Sequence, residues 1–351
     1  MLFVTNRVLQ QGPTPATIEG YDLPRSVSFD LENNQAEQSV YFCDRAGPGD
    51  YTEIGSAAFF EALKSASVDQ ILLYLHGYSS LPEGAIFPRA EELQRLLRVM
   101  QANAEAAGQP AQRVLVVPLI WPCDNDLGMV QDYFDDQKAA DASDFAYMRL
   151  FEKFMHWRSH SNTVGDLTTL ATTDLCTKRI NILAHSMGNR VMRGAFARTV
   201  QYYRPLGLPL LFRNIFMVAA DLVNETLAYG NPGEYIAQSA RNVLVYYAAD
   251  DLALRASKVA NTRNGTTSRR LGHTGPEKLD QVANNVYAID CDDFNTRYDS
   301  PTGHGYFTEN PDTGDPGLLL RHIWYAINTG RLPGIPPRQQ TQILNERTQF
   351  A

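Results

Sequence analysis

The chain has 351 residues, of which 44% are hydrophobic, and its 31 basic and 39 acidic residues give a net charge of −8. An acidic balance without any basic run argues against a nucleic-acid partner. No apolar run approaches the roughly 18 residues that span a bilayer, so we predict no transmembrane segment.

The first half of the chain contains alternating strand and helix patterns. Short apolar runs predict strands at 2–5, 26–31 and 39–44, and a helix follows at 51–67. The run QILLYLHGY at 70–78 is almost continuously apolar, which is typical of a strand buried on both faces of a parallel sheet. The same alternation then continues with a helix at 91–108, a strand at 113–121 and a helix at 131–160.

A strand pattern at 180–184 leads directly into a helix pattern at 188–198. The residues between them form the sequence AHSMG, which has the form small-x-Ser-x-Gly with Ser186 at its centre. A sharp strand-to-helix turn needs small residues on both sides, here Ala184 and Gly188, and it lifts the serine hydroxyl above the helix N-terminus. The pattern therefore predicts that Ser186 is a nucleophile.

The rest of the chain completes an α/β pattern. It contains predicted strands at 214–220, 242–248 and 286–290, and predicted helices at 252–260 and 318–328. Buried strands that alternate with helices indicate an α/β architecture, a mostly parallel central sheet of about eight strands flanked by helices. We expect a single domain over 1–330, with insertions near 123–165 and 202–213, and a loosely attached tail at 331–351 that is rich in Pro, Gln and Arg.

A serine hydroxyl needs a general base, and seven histidines are available. In α/β hydrolases the nucleophile, the acid and the histidine follow each other in that order, on loops at the carboxyl ends of strands. His304 lies between two glycines after the last predicted strand, which fits this order. His273 is the main alternative, but it precedes that strand.

The sequence offers several candidates for the acid, the third member of a catalytic triad with Ser186 and His304. Asp250 and Asp251 both follow the predicted strand at 242–248, and Asp251 opens the next helix. Asp221 ends the strand before it and is a third candidate. We expect Asp251 to orient His304, with Asp250 and Asp221 as alternatives.

Two backbone N–H groups are candidates for an oxyanion hole. The residue after the nucleophile, Met187, supplies one, and the loop after an earlier strand supplies the other. His76-Gly77-Tyr78 ends such a strand, and this predicts the Tyr78 N–H as the second donor.

Several of these segments together resemble a bacterial family of α/β-hydrolase proteins of unknown function. The resemblance runs from the start of the chain to the His304 loop and rests on these segments: Phe3-Val4-Thr5-Asn6-Arg7, Leu73 to Tyr78, Trp121-Pro122, Tyr133 with Asp136 and Ala140, Ala184 to Asn189, Tyr247 to Leu254, and Arg270-Leu271-Gly272. It implies an esterase- or lipase-like enzyme whose acid falls on Asp251. Cys123 departs from the pattern, since the family usually has Ser after Trp-Pro, and we expect this to alter the pocket wall.

The sequence thus predicts a serine hydrolase that cleaves carboxylic esters of small molecules through an acyl-enzyme on Ser186. A thioesterase or amidase with the same triad, and a non-catalytic binding protein on this fold, are alternatives. This mechanism implies no cofactor. We also expect no metal, because the acidic run at 290–293 lacks the spacing of metal ligands. The oligomeric state is left open. The apolar side chains of Leu206, Leu208 and Leu210 are candidates for an acyl pocket.

Compartment can be inferred from the N-terminus and the cysteines. The first ten residues, MLFVTNRVLQ, lack the basic region and the cleavage site of a signal peptide. Cys43, Cys123, Cys176 and Cys291 are far apart and form no C-x-x-C pair. We therefore expect free thiols and a cytoplasmic protein.

Overall fold

The computed structural model describes residues 1–10, 24–125, 129–162, 178–263, 268–335 and 339–350. Cys176, and the parts of the predicted insertion and tail at 126–128, 163–165, 336–338 and 351, lie outside the described residues. The described strands are β1 (Leu2–Arg7), β2 (Arg25–Val27), β3 (Ala36–Gly47), β4 (Asp50–Glu53), β5 (Gln70–Leu75), β6 (Val114–Ile120), β7 (Arg179–His185), β8 (Phe212–Val218), β9 (Ala240–Tyr247), β10 (Val286–Asp290) and β11 (Thr341–Ile343). The described α-helices are α1 (Gly55–Ser65), α2 (Phe87–Ala106), α3 (Met129–Ala142), α4 (Asp144–Asn162), α5 (Gly188–Tyr202), α6 (Glu234–Ser239), α7 (Leu252–Arg263), α8 (Leu271–Thr274), α9 (Asn295–Tyr298) and α10 (Leu318–Thr329).

These strands form one mixed sheet in the order β11-β10-β9-β8-β7-β5-β6-β1-β3-β4-β2. The strands from β11 to β1 in this order pair in parallel, whereas β3, β4 and β2 are antiparallel additions at one edge. The mostly parallel α/β architecture is confirmed, but the described part of the chain has 11 strands in place of the predicted eight or so.

One unpredicted strand, β4, overlaps the start of the range predicted as a helix at 51–67. The sequence Gly-Pro-Gly at 47–49 turns the chain back, with Gly49 at φ 73, so that the next residues pair with β3. The ring of Tyr51 packs against Phe3 at 5.6 Å between centroids, which fixes this register. The helix consequently starts only at Gly55.

The other unpredicted strand, β11, lies in the tail. Thr341–Ile343 pairs in parallel with β10, and the next residue, Leu344, is fully buried. The expectation of a loose tail is therefore wrong for this segment, because its few apolar residues complete the edge of the sheet.

The two faces of the sheet are covered by separate hydrophobic clusters. Side chains of α1, α4 and α5 pack on one face, and those of α2 and α10 pack on the other. Every residue of β5 is buried, as expected for a strand that is covered on both sides.

The central strand β7 lies between β5 and β8, while β6 lies on the far side of β5. The chain therefore reverses its direction across the sheet between β5 and β7. In open α/β sheets, ligands bind at the carboxyl ends of the strands at such a reversal. The loop after β5 carries Tyr78 and the turn after β7 carries Ser186, so both lie at this position.

Candidate active site

The turn between β7 and α5 has the geometry of a nucleophile elbow. Ser186 has φ 50, a conformation that costs strain for a residue with a side chain. Its N–H donates to the Val218 carbonyl at 2.9 Å, and its carbonyl accepts the Asp221 N–H at 3.2 Å. A Cβ on Gly188 would lie 2.6 Å from the carbonyl oxygen of His76, so this position needs glycine. Sheet and helix thus hold the strained serine from both sides.

His304 and Asp251 form a buried hydrogen-bonded pair. The Nδ1 atom of His304 lies 2.7 Å from Oδ2 of Asp251, whose other oxygen accepts the Leu254 N–H at 2.9 Å. Burial disfavours the imidazolium, but the carboxylate of Asp251 outweighs that effect, and the pKa of His304 is raised above 6.5. The Nε2 atom of His304 is buried and has no hydrogen-bond partner among the described residues.

The backbone around His304 is also fixed. The N–H groups of His304 and Gly305 both donate to Oδ2 of Asp299 at 2.7 Å. The carbonyl of His304 lies 3.1 Å from Nε2 of His185, the histidine of the elbow. Burial lowers the pKa of His185 well below 6.5, so this neighbour is neutral.

The alternative candidates have other partners. Asp250 accepts a hydrogen bond from Asn295 at 2.5 Å. Asp221 accepts hydrogen bonds from Tyr133 and Ser257 and makes none with His304. The rival base His273 lies in α8, with Nε2 3.5 Å from Nε of Arg255. Of the predicted acids, Asp251 is the one that the structure brings to a histidine.

The loop that carries Tyr78 is held by buried polar groups. The N–H of Ser79, which has φ 54, donates to Oδ2 of Asp136 at 2.7 Å. The N–H of Trp121 donates to Nε2 of His76, so the proton of that imidazole is on Nδ1, which donates to the Gly77 carbonyl at 2.8 Å. Burial lowers the pKa of His76 to about 3, which keeps it neutral. The N–H groups of Tyr78 and Met187 have no acceptor among the described residues.

Cys123 lies beneath this loop and does not line either of the cavities described below. Its Sγ accepts the Ser80 N–H at 3.4 Å, and its thiol donates to the Ser80 carbonyl at 2.9 Å. Burial raises its pKa, so it is a neutral thiol. The expectation that Cys123 alters the pocket wall is therefore wrong, since Cys123 lines neither cavity and is hydrogen-bonded to the backbone of Ser80. Cys43 and Cys291 are likewise free and buried.

Two cavities, each of about 360 Å³, meet at Ser186, His304 and Tyr78. One is lined largely by apolar residues at the start of α7, namely Leu252, Ala253, Leu254 and Ala256. The other extends toward the start of α2 and includes Ser80, Arg89, Glu92, His185 and Phe307.

The predicted acyl-pocket leucines are elsewhere. Leu206 and Leu210 are exposed, and Leu208 is buried in the hydrophobic cluster. The loop that carries them joins the end of α5 to the start of β8, so it lies at the amino ends of the strands, opposite Ser186. The prediction is therefore wrong.

Comparisons with known proteins identify the family. The family described as "Alpha/beta hydrolase of unknown function (DUF900)" matches residues 54–320. The chain belongs to that family. No curated protein matches it.

Among solved structures, the chain is similar to "Phospholipase PlaB from Legionella pneumophila in complex with thio-NAD". Sequence identity is 11% and the TM-score is 0.23. The match covers 67% of this chain and 41% of that one, so this chain spans about two fifths of the length of PlaB.

Two buried polar clusters of this α/β hydrolase were not predicted from the sequence, although Asp221 is one of the predicted alternative acids. Asp221 accepts hydrogen bonds from Tyr133 at 2.8 Å and Ser257 at 2.6 Å, and its Oδ1 lies 3.1 Å from Nε of Arg270. This network joins α3, α7 and the segment before α8 to the residues after β8, and Tyr133, Asp221 and Ser257 line the first cavity together with Ser186. Asp136 is the centre of the second cluster. Tyr133, Asp136 and Arg270 were visible only as parts of the family resemblance.

Among the described residues, no group of three or more His, Cys, Asp or Glu side chains could hold a metal ion. No helix in the described ranges is long and apolar enough to cross a bilayer.

Proposed function

We propose that the chain is a serine hydrolase that cleaves carboxylic esters through an acyl-enzyme on Ser186. The observation that carries the proposal is the state of His304. Its Nδ1 lies 2.7 Å from the Asp251 carboxylate, while its buried Nε2 has no hydrogen-bond partner among the described residues. His304 also lines both of the cavities that Ser186 lines. A general base needs this arrangement, in which one nitrogen is oriented and the other is available.

The reaction follows from these positions. Ser186 Oγ attacks the ester carbon while His304 Nε2 takes its proton, and the N–H groups of Tyr78 and Met187 bind the carbonyl oxygen as it becomes negative. The imidazolium then gives the proton to the leaving alcohol. A water molecule, activated in the same way, releases the acid from Ser186. Asp251 holds the tautomer with the proton on Nδ1.

The apolar cavity at the start of α7 is suited to the acyl chain. Each methylene that it buries contributes up to about 0.8 kcal/mol of binding. A thioesterase or an amidase would use the same groups, so rates on matched oxo-ester, thioester and anilide substrates separate these activities. A binding protein without catalysis would turn over none of them.

The direct test is labelling with a fluorophosphonate. We expect a single adduct on Ser186, located by mass spectrometry, and a Ser186→Ala protein that folds but loses activity by roughly 10⁶-fold. Ser257→Ala is the matched control, because Ser257 lines the same cavity as Ser186. Since Ser257 should not carry the adduct, this variant should still be labelled on Ser186. An adduct on any other residue, or none at all, would refute the proposed nucleophile.

A further inference from the structure

The two cavities beside Ser186 differ in chemistry. The first is walled by apolar side chains of α7. The second contains a cation, Arg89, an anion, Glu92, and the hydroxyl of Ser80. An ester places its acyl half and its alcohol half on opposite sides of the attacked carbon, so the two halves meet different surroundings.

Arg89 is held in a fixed orientation within the second cavity. Its Nη1 donates to Oε2 of Glu92 at 3.1 Å and to Oγ1 of Thr308 at 2.8 Å. Its guanidinium carbon lies 5.4 Å from the ring centroid of Phe307. The Phe307 ring packs in turn on His185 at 4.7 Å, which connects Arg89 to the elbow through two ring contacts.

The remaining edge of the guanidinium is open. Among the described residues, Nε and Nη2 of Arg89 have no acceptor, and the side chain is 36% exposed. An oriented guanidinium presents two parallel N–H groups that match a carboxylate or a phosphate. Arg89, which lines this cavity, can therefore donate two hydrogen bonds to an anionic group.

We propose that this cavity binds the alcohol half of the ester and that Arg89 recognises an anionic group, a carboxylate or a phosphate, on that half. The proposal rests on the proposed ester hydrolysis. The substrate class is then an ester with an apolar acyl group, bound by α7, and an alcohol that carries a negative charge.

Glu92 limits how strongly Arg89 can favour an anionic over a neutral alcohol. It occupies one N–H of Arg89 and offsets part of its charge, but it does not reach the open edge. We therefore expect a preference of about tenfold for the anionic over the neutral alcohol. The preference should weaken with added salt, because the site is partly exposed.

The experiment compares esters of the same shape. 4-Butyryloxybenzoate is anionic, its methyl ester is neutral, and 4-butyryloxyphenyl phosphate tests phosphate in place of carboxylate. Rates are divided by the alkaline hydrolysis rate of each ester, which removes the difference in leaving-group acidity. We expect kcat/KM to favour an anionic ester about tenfold, and the larger of the two anionic values identifies the preferred group.

Variants connect the preference to Arg89. Arg89→Met should bring the ratio to one or below, because Glu92 then faces the anion without a cation beside it. Arg89→Lys should keep part of the ratio, since Lys retains the charge without the fork. Arg95→Met is the matched control, because Arg95 lies on the same helix, is paired with Glu309 and lines neither cavity. It should keep the full ratio.

A binding measurement separates this proposal from the hydrolysis itself. In Ser186→Ala, which cannot form the acyl-enzyme, calorimetry should show 4-hydroxybenzoate binding about tenfold more tightly than its methyl ester. Equal binding together with a wild-type ratio near one would overturn the role of Arg89 while leaving Ser186 as the nucleophile. A preference for phenyl hemisuccinate over phenyl butyrate that Arg89→Met removes would assign the anion to the acyl half and overturn the proposal as stated.

Discussion

The two ring nitrogens of His304 have different surroundings, and the proposed role of this residue as a base rests on that difference. Nδ1 is 2.7 Å from a carboxylate that is fully buried, and Nε2 has no described partner. Asp250, the neighbour in sequence, accepts a hydrogen bond from the Asn295 side chain and makes none with His304.

Replacement of the two aspartates tests this assignment. Asp251→Asn should lower kcat by about 10⁴, because an amide favours the wrong tautomer of His304. Asp250→Asn should cost far less, since it alters only the bond to Asn295. Steady-state kinetics on one ester give both values. A larger loss for Asp250→Asn would transfer the role of the acid to that residue.

The pH dependence follows from the direction of the His304 shift. The base must be neutral, and Asp251 raises its pKa above 6.5, so kcat/KM should fall as the pH drops through a value above 6.5. In Asp251→Asn the carboxylate that raises the pKa of His304 is absent, while the burial that lowers this pKa remains. His304 then stays neutral to lower pH, so the residual activity should persist to lower pH. A wild-type profile that stays flat well below pH 6.5 is incompatible with this base.

At the scale of elements, the site depends on how the loop after β5 is held by α3. Asp136 in α3 is fully buried and accepts three N–H groups, those of Ser79, Asp124 and the Asn34 side chain. Burial raises its pKa to about 7, with the carboxylates of Asp124 and Asp132 acting in the same direction. The bond to Ser79 fixes the residue that follows Tyr78.

Asp136→Asn should loosen this loop. An amide has one acceptor oxygen in place of two, so at least one N–H donor loses its partner. A misplaced Tyr78 N–H should lower kcat by about tenfold to a hundredfold, with a smaller change in KM, because the oxyanion forms only after binding. Asp135→Asn is the control, since Asp135 lies on the same helix and makes only a long ion pair with Lys138 at 3.9 Å. An equal effect of both substitutions would contradict the role of Asp136.

The elements themselves were largely predictable, because they depend on local patterns. The apolar run of β5 and the small residues around Ser186 indicate their structure without reference to the rest of the chain. The order of Ser186, Asp251 and His304 along the chain also identifies residues that the fold brings to one edge of the sheet. The helix predicted at 51–67 was wrong at its start, because pairing with β3 overrides the local pattern there.

The two cavities beside Ser186 depend on the packing of the whole molecule and could not be predicted in the same way. A cluster of leucines at 206–210 has the composition of a pocket, but its place in the chain puts it at the opposite end of the sheet. The walls of the actual cavities come from α7 and from the start of α2, which are far apart in sequence. Only the packing of the helices on the sheet brings Arg89 and Leu254 to either side of Ser186.

The ion pair of Arg270 and Asp221 connects the site to the stability of the whole molecule. Both side chains are almost completely buried, at 2% and 1% exposure. Removal of one member of such a pair leaves an uncompensated charge in the interior, so Arg270→Met should lower the free energy of unfolding by about 3–5 kcal/mol. Arg297→Met breaks the exposed pair with Glu346 and should cost no more than about 1 kcal/mol.

The double variant distinguishes lost charge pairing from lost packing. Arg270→Met with Asp221→Asn has no buried charge at this position, so it should recover part of the stability that Arg270→Met loses, as measured by denaturant unfolding. Because the Asp221 N–H also donates to the Ser186 carbonyl, labelling of Ser186 should recover in parallel with stability. If the double variant were no more stable than Arg270→Met, the packing of the Arg270 side chain would be what stabilises the molecule here, and if it were less stable, the hydrogen bonds that Asp221 accepts from Tyr133 and Ser257 would be.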